Sequence, residues 1–266
     1  MLFLGLGCVR YTEIRMQEPD PLGTSDPTAL EDRGVPWTLG DMGKAIAVVV
    51  TGVIIVSLIA AGIGVLIAGD ADIEADPTAL TAVLVLSLPL EIVFVAAAFA
   101  FSVRKYKVPR AMLGLRPPDR GGVLLAIGLF LGSLGIVTAY FGVLDLAGIS
   151  PDADLPDEVF DSIGPVVAVA ILSLVFAPVM EEIFFRGFIF GGLRRPWGLA
   201  GAALGSGLLF GLAHLGNPGA IYVVPPIALV GALFAWGYAF SGSLYPSMGA
   251  HFLFNLSSVA VALGTS

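Results

Sequence analysis

Seven stretches of the chain are apolar over about 20 residues and contain few or no charges, the length a helix needs to cross the roughly 30 Å hydrocarbon core of a bilayer. We predict membrane-spanning helices over 44–68, 79–103, 121–144, 163–194, 198–215, 221–240 and 243–264. Only 13% of the 266 residues are charged, against about 25% in an ordinary soluble domain. The sequence therefore predicts an all-α fold: a polytopic membrane helical bundle of about seven transmembrane helices, with six to eight as the range.

The distribution of polar residues predicts one domain. Residues 1–43 are mostly polar after a short apolar start, and we predict that they form a flexible N-terminal tail. Residues 44–264 contain no polar stretch long enough for a second domain, so they are predicted to form a single transmembrane helical domain. The one cysteine, Cys8, excludes an internal disulfide and any C-x-x-C metal or redox site.

The basic residues fall in three groups that alternate with acidic loops. Because positively charged loops stay in the cytoplasm, this alternation predicts that the N-terminus lies inside. Segments 70–77 and 145–161 carry only acids and are predicted to face outside. The net charge of −8 argues against a nucleic-acid partner, which requires a basic face. The basic residues are Arg10, Arg15, Arg33, Lys44, Arg104, Lys105, Lys107, Arg110, Arg116, Arg120, Arg186, Arg194 and Arg195.

A few ionisable side chains lie inside the predicted spans. Such a group costs roughly 2.5–3.5 kcal/mol near the bilayer centre on insertion scales, so it normally faces the bundle interior and has a function. The set, which includes both histidines of the protein and one amide, is Glu91, Glu181, Glu182, Arg186, His214, His251 and Asn255.

The sequence VMEEIFFRGF at 179–188 places three of these charges together. Residues four apart share a helix face, so Glu182 and Arg186 are predicted to pair. Glu181 points roughly 100° away from Glu182 on an α-helix, which leaves its carboxylate free for chemistry. The alternative is that all three charges serve only as a structural ion pair with a spare acid.

A hairpin is predicted to bring His214 level with Glu181. The segment RRPWG at 194–198 is typical of a tight turn, so the fourth and fifth spans are antiparallel. Glu181 lies 15 residues before Pro196 and His214 lies 16 residues after Gly198. At about 1.5 Å per residue, the two side chains lie at the same depth.

The ordered set of motifs resembles a known family. EEIFFR (Glu181, Glu182, Arg186), FGLAH (His214) and HFLFN (His251, Asn255) are similar to the E-E-x-x-x-R, F-x-x-x-H and H-x-x-x-N motifs of the CAAX prenyl protease and bacteriocin-processing family of intramembrane endopeptidases. The resemblance covers about residues 105–260. It implies a multi-pass protein of the cell membrane, with the lipid bilayer and a peptide or membrane-protein substrate as partners.

The chemistry of peptide hydrolysis assigns roles to these residues. It requires an activated water, stabilisation of the oxyanion and protonation of the leaving amine. We predict that Glu181 is the general base, that Arg186 orients Glu181 and Glu182, and that His214 holds the same water and shuttles the proton. The resemblance implies that His251 and Asn255 form the oxyanion hole.

Other interpretations stay open at this point. No cofactor is expected, but zinc held by Glu181, His214 and His251 is the alternative, because these residues form a His2Glu set of the kind found in zinc hydrolases. A non-catalytic membrane scaffold and a proton-relaying transporter are the alternatives to an enzyme. Glu91 is interpreted as a buried carboxyl bonded to a neighbouring helix, rather than as a group that supports the site.

Overall fold

Within the part of the chain that the structure describes, six helices are long and apolar enough to cross a membrane. The computed structural model describes residues 34–69, 72–151, 157–216 and 219–265, and these contain no β-strand. The prediction of a multi-pass, all-α membrane protein is confirmed. The helices are α1 (Leu39–Ala68), α2 (Pro77–Arg104), α3 (Gly122–Leu146), α4 (Ile163–Leu212), α5 (Ala220–Ser241) and α6 (Tyr245–Gly264).

Helix α4 accounts for the difference between six helices and the seven predicted spans. It contains 50 residues and covers the predicted span 163–194 and the predicted span 198–215 as far as Leu212. Its chain turns at Gly198, where φ is 67° and ψ is −176°, a conformation that a residue with a Cβ rarely adopts. The count of about seven is therefore consistent with the structure, while the location of the N-terminus inside stays a prediction.

The first helix begins five residues before the predicted start at 44, at Leu39. Thr38 and Asp41 form a capping box, in which each side chain bonds the backbone N–H of the other. The Asp41 carboxylate also accepts hydrogen bonds from Lys105 and Tyr106 at the end of α2. The first helix therefore begins before the predicted tail boundary at 43, and Lys105, from a distant part of the chain, pairs with Asp41 in its first turn. Residues 1–33 lie outside the described residues, so the flexible tail stays a prediction.

Two stretches of α4 have π-helical hydrogen bonding, Leu172–Phe176 and Glu182–Phe190. π-Helical turns are rare and frequently mark functional sites. All nine residues of the second stretch are buried, which makes it the centre of the bundle. Trp37, just before α1, donates its indole N–H to the carbonyl of Phe188 in this stretch at 2.9 Å. The N-terminal edge of the bundle is thus bound directly to the helix that carries the charged motif.

Close approach between α4 and α5 positions the other half of the site. A Cβ added at Gly207 would lie 2.4 Å from the carbonyl oxygen of Ala228, and one at Gly211 would lie 2.7 Å from that of Val224. Both distances are too short for any side chain, so these glycines let the two backbones touch. As a result Phe210, between them in sequence, is directed into the bundle and is 3% exposed.

Candidate active site

The predicted pair of Glu182 and Arg186 is present. Nη1 of Arg186 lies 2.9 Å from Oε1 of Glu182, and neither side chain is exposed at all. The contact is an ion pair rather than a well-aligned hydrogen bond, since Nη1 has no hydrogen-bond partner by geometry. The guanidinium also lies over the ring of Phe210, with Cζ 4.1 Å from the centroid, and 5.4 Å from that of Phe234. The cation is therefore held between a carboxylate and two aromatic faces.

His251 connects the ion pair to the second glutamate. Its Nδ1 lies 3.2 Å from Oε1 of Glu182, and its Nε2 lies 3.8 Å from Oε2 of Glu181. Because a carboxylate accepts, we infer that Nδ1–H donates to Glu182. The 3.8 Å separation at Nε2 is too long for a direct hydrogen bond, but a water or a substrate atom can bridge it. Imidazole and carboxylate thus face each other across a gap of 3.8 Å.

The Glu181 side chain lies outside the Glu182–Arg186 ion pair. Its side chain is 14% exposed, whereas that of Glu182 is completely buried. Its Oε2 atom is buried and has no hydrogen-bond partner among the described residues. A buried acceptor without a partner is costly, so one is retained where it can receive a proton or bind a ligand.

His214 lies beside the site. It is two residues beyond Leu212, the last residue of α4, and its Nδ1 lies 2.9 Å from the carbonyl oxygen of Phe210. Because a carbonyl only accepts, Nδ1 carries the proton and Nε2 is free to accept. The Phe210 ring lies 5.0 Å from the His214 ring and 5.9 Å from that of His251, between centroids. Within the described part of the chain, no hydrogen bond or ion pair joins His214 to Glu181.

The amide of Asn255 holds α6 against α4. Its Nδ2 donates to the carbonyl oxygen of Ser173 at 2.7 Å, in the first π-helical stretch. An amide carries two N–H donors, so one remains for another acceptor. Asn255 lies four residues after His251 in α6, and its bond to Ser173 fixes the depth at which His251 meets the glutamates.

Three side chains complete the site and were not predicted as part of it. Phe210 and Phe234 enclose Arg186, and the Phe234 ring centroid also lies 6.0 Å from that of His251. Phe210 is the first residue of the F-x-x-x-H motif, so the sequence did contain a signal for it. Nothing in the sequence distinguishes Phe234 from the other phenylalanines of apolar helices.

Glu91 is the third side chain that was not predicted as part of the site. It is 8% exposed and is close enough to Glu181 for the two carboxyl groups to interact electrostatically.

The residues present fit a zinc ion only in part. Each imidazole donates Nδ1–H to a protein acceptor and keeps Nε2 free, as histidine ligands of metals commonly do. The donors do not converge, however: no three His, Cys, Asp or Glu side chains among the described residues lie close enough together to hold one ion. The predicted set of Glu181, His214 and His251 is therefore not assembled as a metal centre in this arrangement.

Comparison with known proteins supports the motif assignment. Residues 163–257 match the family described as type II CAAX prenyl endopeptidase, Rce1-like. This match covers less than half of the chain. The matched segment contains all six predicted site residues, from Glu181 to Asn255, whereas α1 to α3 precede it.

One curated relative of this chain is the putative membrane peptidase YdiL of Bacillus subtilis (strain 168). The two are 28% identical over 116 residues, which is 44% of this chain and 46% of the relative. The match thus spans less than half the length of either protein. No solved structure matches the chain significantly.

Proposed function

We propose that this protein is an intramembrane endopeptidase that hydrolyses a peptide bond in a membrane-associated substrate, with Glu181 activating the water. The observation that carries the proposal is the pairing of a free, buried Glu181 oxygen with Nε2 of His251 across 3.8 Å. The family to which the matched segment belongs, and the putative peptidase among its relatives, support the same reaction class.

In the proposed reaction, a water molecule occupies the space beside Oε2 of Glu181. Glu181 takes one proton from this water while the water oxygen attacks the carbonyl carbon of the scissile amide. A tetrahedral intermediate forms, and its negative charge is on the former carbonyl oxygen. The proton on Glu181 then passes to the amide nitrogen, the C–N bond breaks, and an amine and a carboxylic acid are released.

Two donors are available for the developing oxyanion. Glu182 holds Nδ1 of His251 at 3.2 Å, which leaves Nε2 facing the substrate, and an N–H at this position can donate to the oxyanion. The second N–H of Asn255 is the other donor. Arg186 keeps Glu182 ionised and in place, so it acts on the reaction through Glu182 and His251 rather than by contact with the substrate.

His214 has a separate role in the proposal. Its Nδ1–H is bound to Phe210, so its Nε2 can accept a proton and return it. Because it lies just beyond the end of α4 and forms no hydrogen bond or ion pair with Glu181 among the described residues, we assign it to the leaving-group side of the substrate. It would receive the proton from Glu181 and pass it to the departing amine.

The substrate class is a peptide or protein held at the membrane. Prenylated C-terminal segments and leader peptides both fit a site enclosed by apolar helices. A zinc-dependent form of the same hydrolase is the second mechanism, and the free Nε2 atoms of His214 and His251 are the observation that favours it.

The test is a comparison of protein termini in cells that express the wild-type protein, Glu181→Gln or Glu158→Gln. Glu158 is exposed and precedes α4, so its variant is the matched control for loss of one carboxylate. We expect a set of new termini with the wild type and the control that disappears with Glu181→Gln at equal membrane abundance. Identical termini in all three would overturn the proposal and favour a scaffold or a transporter.

A further inference from the structure

Helices α2 and α4 lie side by side and run in the same direction. Near their beginnings, a Cβ added at Gly164 would lie 2.5 Å from Oγ1 of Thr81. Further along both helices, the ring of Phe94 lies 5.1 Å from that of Phe184, between centroids. Since both contact positions advance together along the two chains, the helices are parallel over this length.

This register brings Glu91 to the depth of Glu181. Glu91 lies three residues before Phe94 and Glu181 lies three residues before Phe184, so each glutamate is about one turn from the same aromatic contact. Residues 77–99 also contact residues 177–181 directly. The carboxyl groups are close enough to interact electrostatically, although no hydrogen bond joins these two described residues.

The buried carboxyl group of Glu91 has an oxygen without a hydrogen-bond partner among the described residues. Glu91 is 8% exposed, and this oxygen is its buried Oε2 atom. Glu181 has an Oε2 atom in the same state. Two such oxygens on neighbouring carboxyl groups are satisfied together if one group carries a proton and a water lies between them.

The charges of the cluster require such a proton. Three carboxyl groups, on Glu91, Glu181 and Glu182, face at most two cations, Arg186 and a doubly protonated His251. Glu182 already faces both of these side chains, Arg186 at 2.9 Å and His251 at 3.2 Å. A third unpaired negative charge in a dry interior would be very costly, so the proton belongs to the Glu91–Glu181 pair.

We propose that Glu91 is a positioning residue of the active site: it holds a proton, donates it through one bridging water to the Glu181 carboxylate, and so fixes the oxygen that faces His251. This inference rests on the proposed function, because it assigns a role in the reaction of Glu181. Glu91 lies in α2, outside the segment that matches the family, and the motifs give it no role.

The proposal separates three substitutions of Glu91. Glu91→Gln keeps a donor of the same size, so we expect kcat within about threefold of the wild type. Glu91→Leu removes the donor and should lower kcat about tenfold to a hundredfold with KM nearly unchanged, the effect of one hydrogen bond to a charged group. Ser87→Ala, which removes a polar group one turn earlier in α2, is the control and should leave both constants unchanged.

Two further measurements distinguish positioning from mere folding. In a Glu181→Gln background, adding Glu91→Leu should cause no further loss, because the residues act as one unit. The infrared carbonyl stretch of a protonated carboxyl should be present in the wild type and absent in Glu91→Gln. The infrared measurement requires no enzymatic activity and uses only the wild type and Glu91→Gln. It therefore tests the inference even if Glu91→Leu fails to fold.

Each other outcome overturns the inference. Wild-type kcat in a folded Glu91→Leu, a Glu91→Gln as inactive as Glu91→Leu, or an unchanged infrared band in Glu91→Gln would each exclude the role. Failure of the proposed function is a separate result: Glu181→Gln would then retain full activity. An inactive Glu181→Gln with a fully active Glu91→Leu would contradict the positioning role alone.

Discussion

Removal of the buried cation should destabilise the protein more than any surface change. At a separation of 2.9 Å, the attraction between Arg186 and Glu182 is about 6 kcal/mol at an effective dielectric constant of 20. Desolvation of both groups offsets much of this, but removal of one partner leaves the other charged and unpaired. We therefore expect Arg186→Met and Glu182→Gln each to lower the free energy of unfolding by about 3–5 kcal/mol.

The double variant shows whether the pair itself is responsible. Glu182→Gln with Arg186→Met leaves no unpaired charge between them, so its loss should be smaller than the sum of the two single losses by about 2 kcal/mol or more. The assay is reversible unfolding in mixed detergent micelles. Arg194→Met, at an exposed position, is the control and should change stability by less than about 0.5 kcal/mol. If the two single losses simply add, the coupling assigned to this pair is wrong.

Two further predictions concern the metal and the helix contact. Activity on an identified substrate should survive thorough treatment with a chelator, because the described His and Glu side chains do not converge on one point; a loss that added zinc restores would favour the zinc mechanism instead. Gly207→Ala should cost about 1–3 kcal/mol, because its Cβ would lie 2.4 Å from the Ala228 carbonyl oxygen. Gly128→Ala, whose Cβ would meet nothing within 4 Å, should be nearly neutral in the same unfolding assay, and equal effects of the two would contradict the close contact.

The sequence predicted the helices well because membrane insertion depends on a property that is local in the chain. An apolar run of about 20 residues forms a span whatever its neighbours are. The error at the start of α1 has a non-local cause. Lys105 and Tyr106, 64 and 65 residues later, donate hydrogen bonds to the Asp41 carboxylate and so stabilise it in the first turn of the helix. A prediction from hydropathy alone places this charged residue outside the span.

The site was partly predictable for the same reason. The Glu182–Arg186 pair follows from spacing within one helix, and the structure contains it. The contacts of His251 with both glutamates depend on how α6 meets α4, which spacing does not determine. Likewise the position of Glu91 depends on the register of α2 against α4, which the sequence does not determine. From the sequence alone, an acidic residue in an apolar run fits a structural role and a functional role equally.

The π-helical stretch explains how the membrane interior tolerates these charges. In a helix at the edge of a bundle, one face is turned to lipid, and a charge on a neighbouring face lies only about 100° from it. All nine residues from Glu182 to Phe190 are buried, so this stretch has no lipid-facing side. Glu182 and Arg186 are therefore solvated by protein groups, namely His251, Phe210 and Phe234, rather than by hydrocarbon. Glu181 lies at the boundary of this stretch and is partly exposed, so the same helix supplies a fixed ion pair and, one residue earlier, a carboxylate outside that pair.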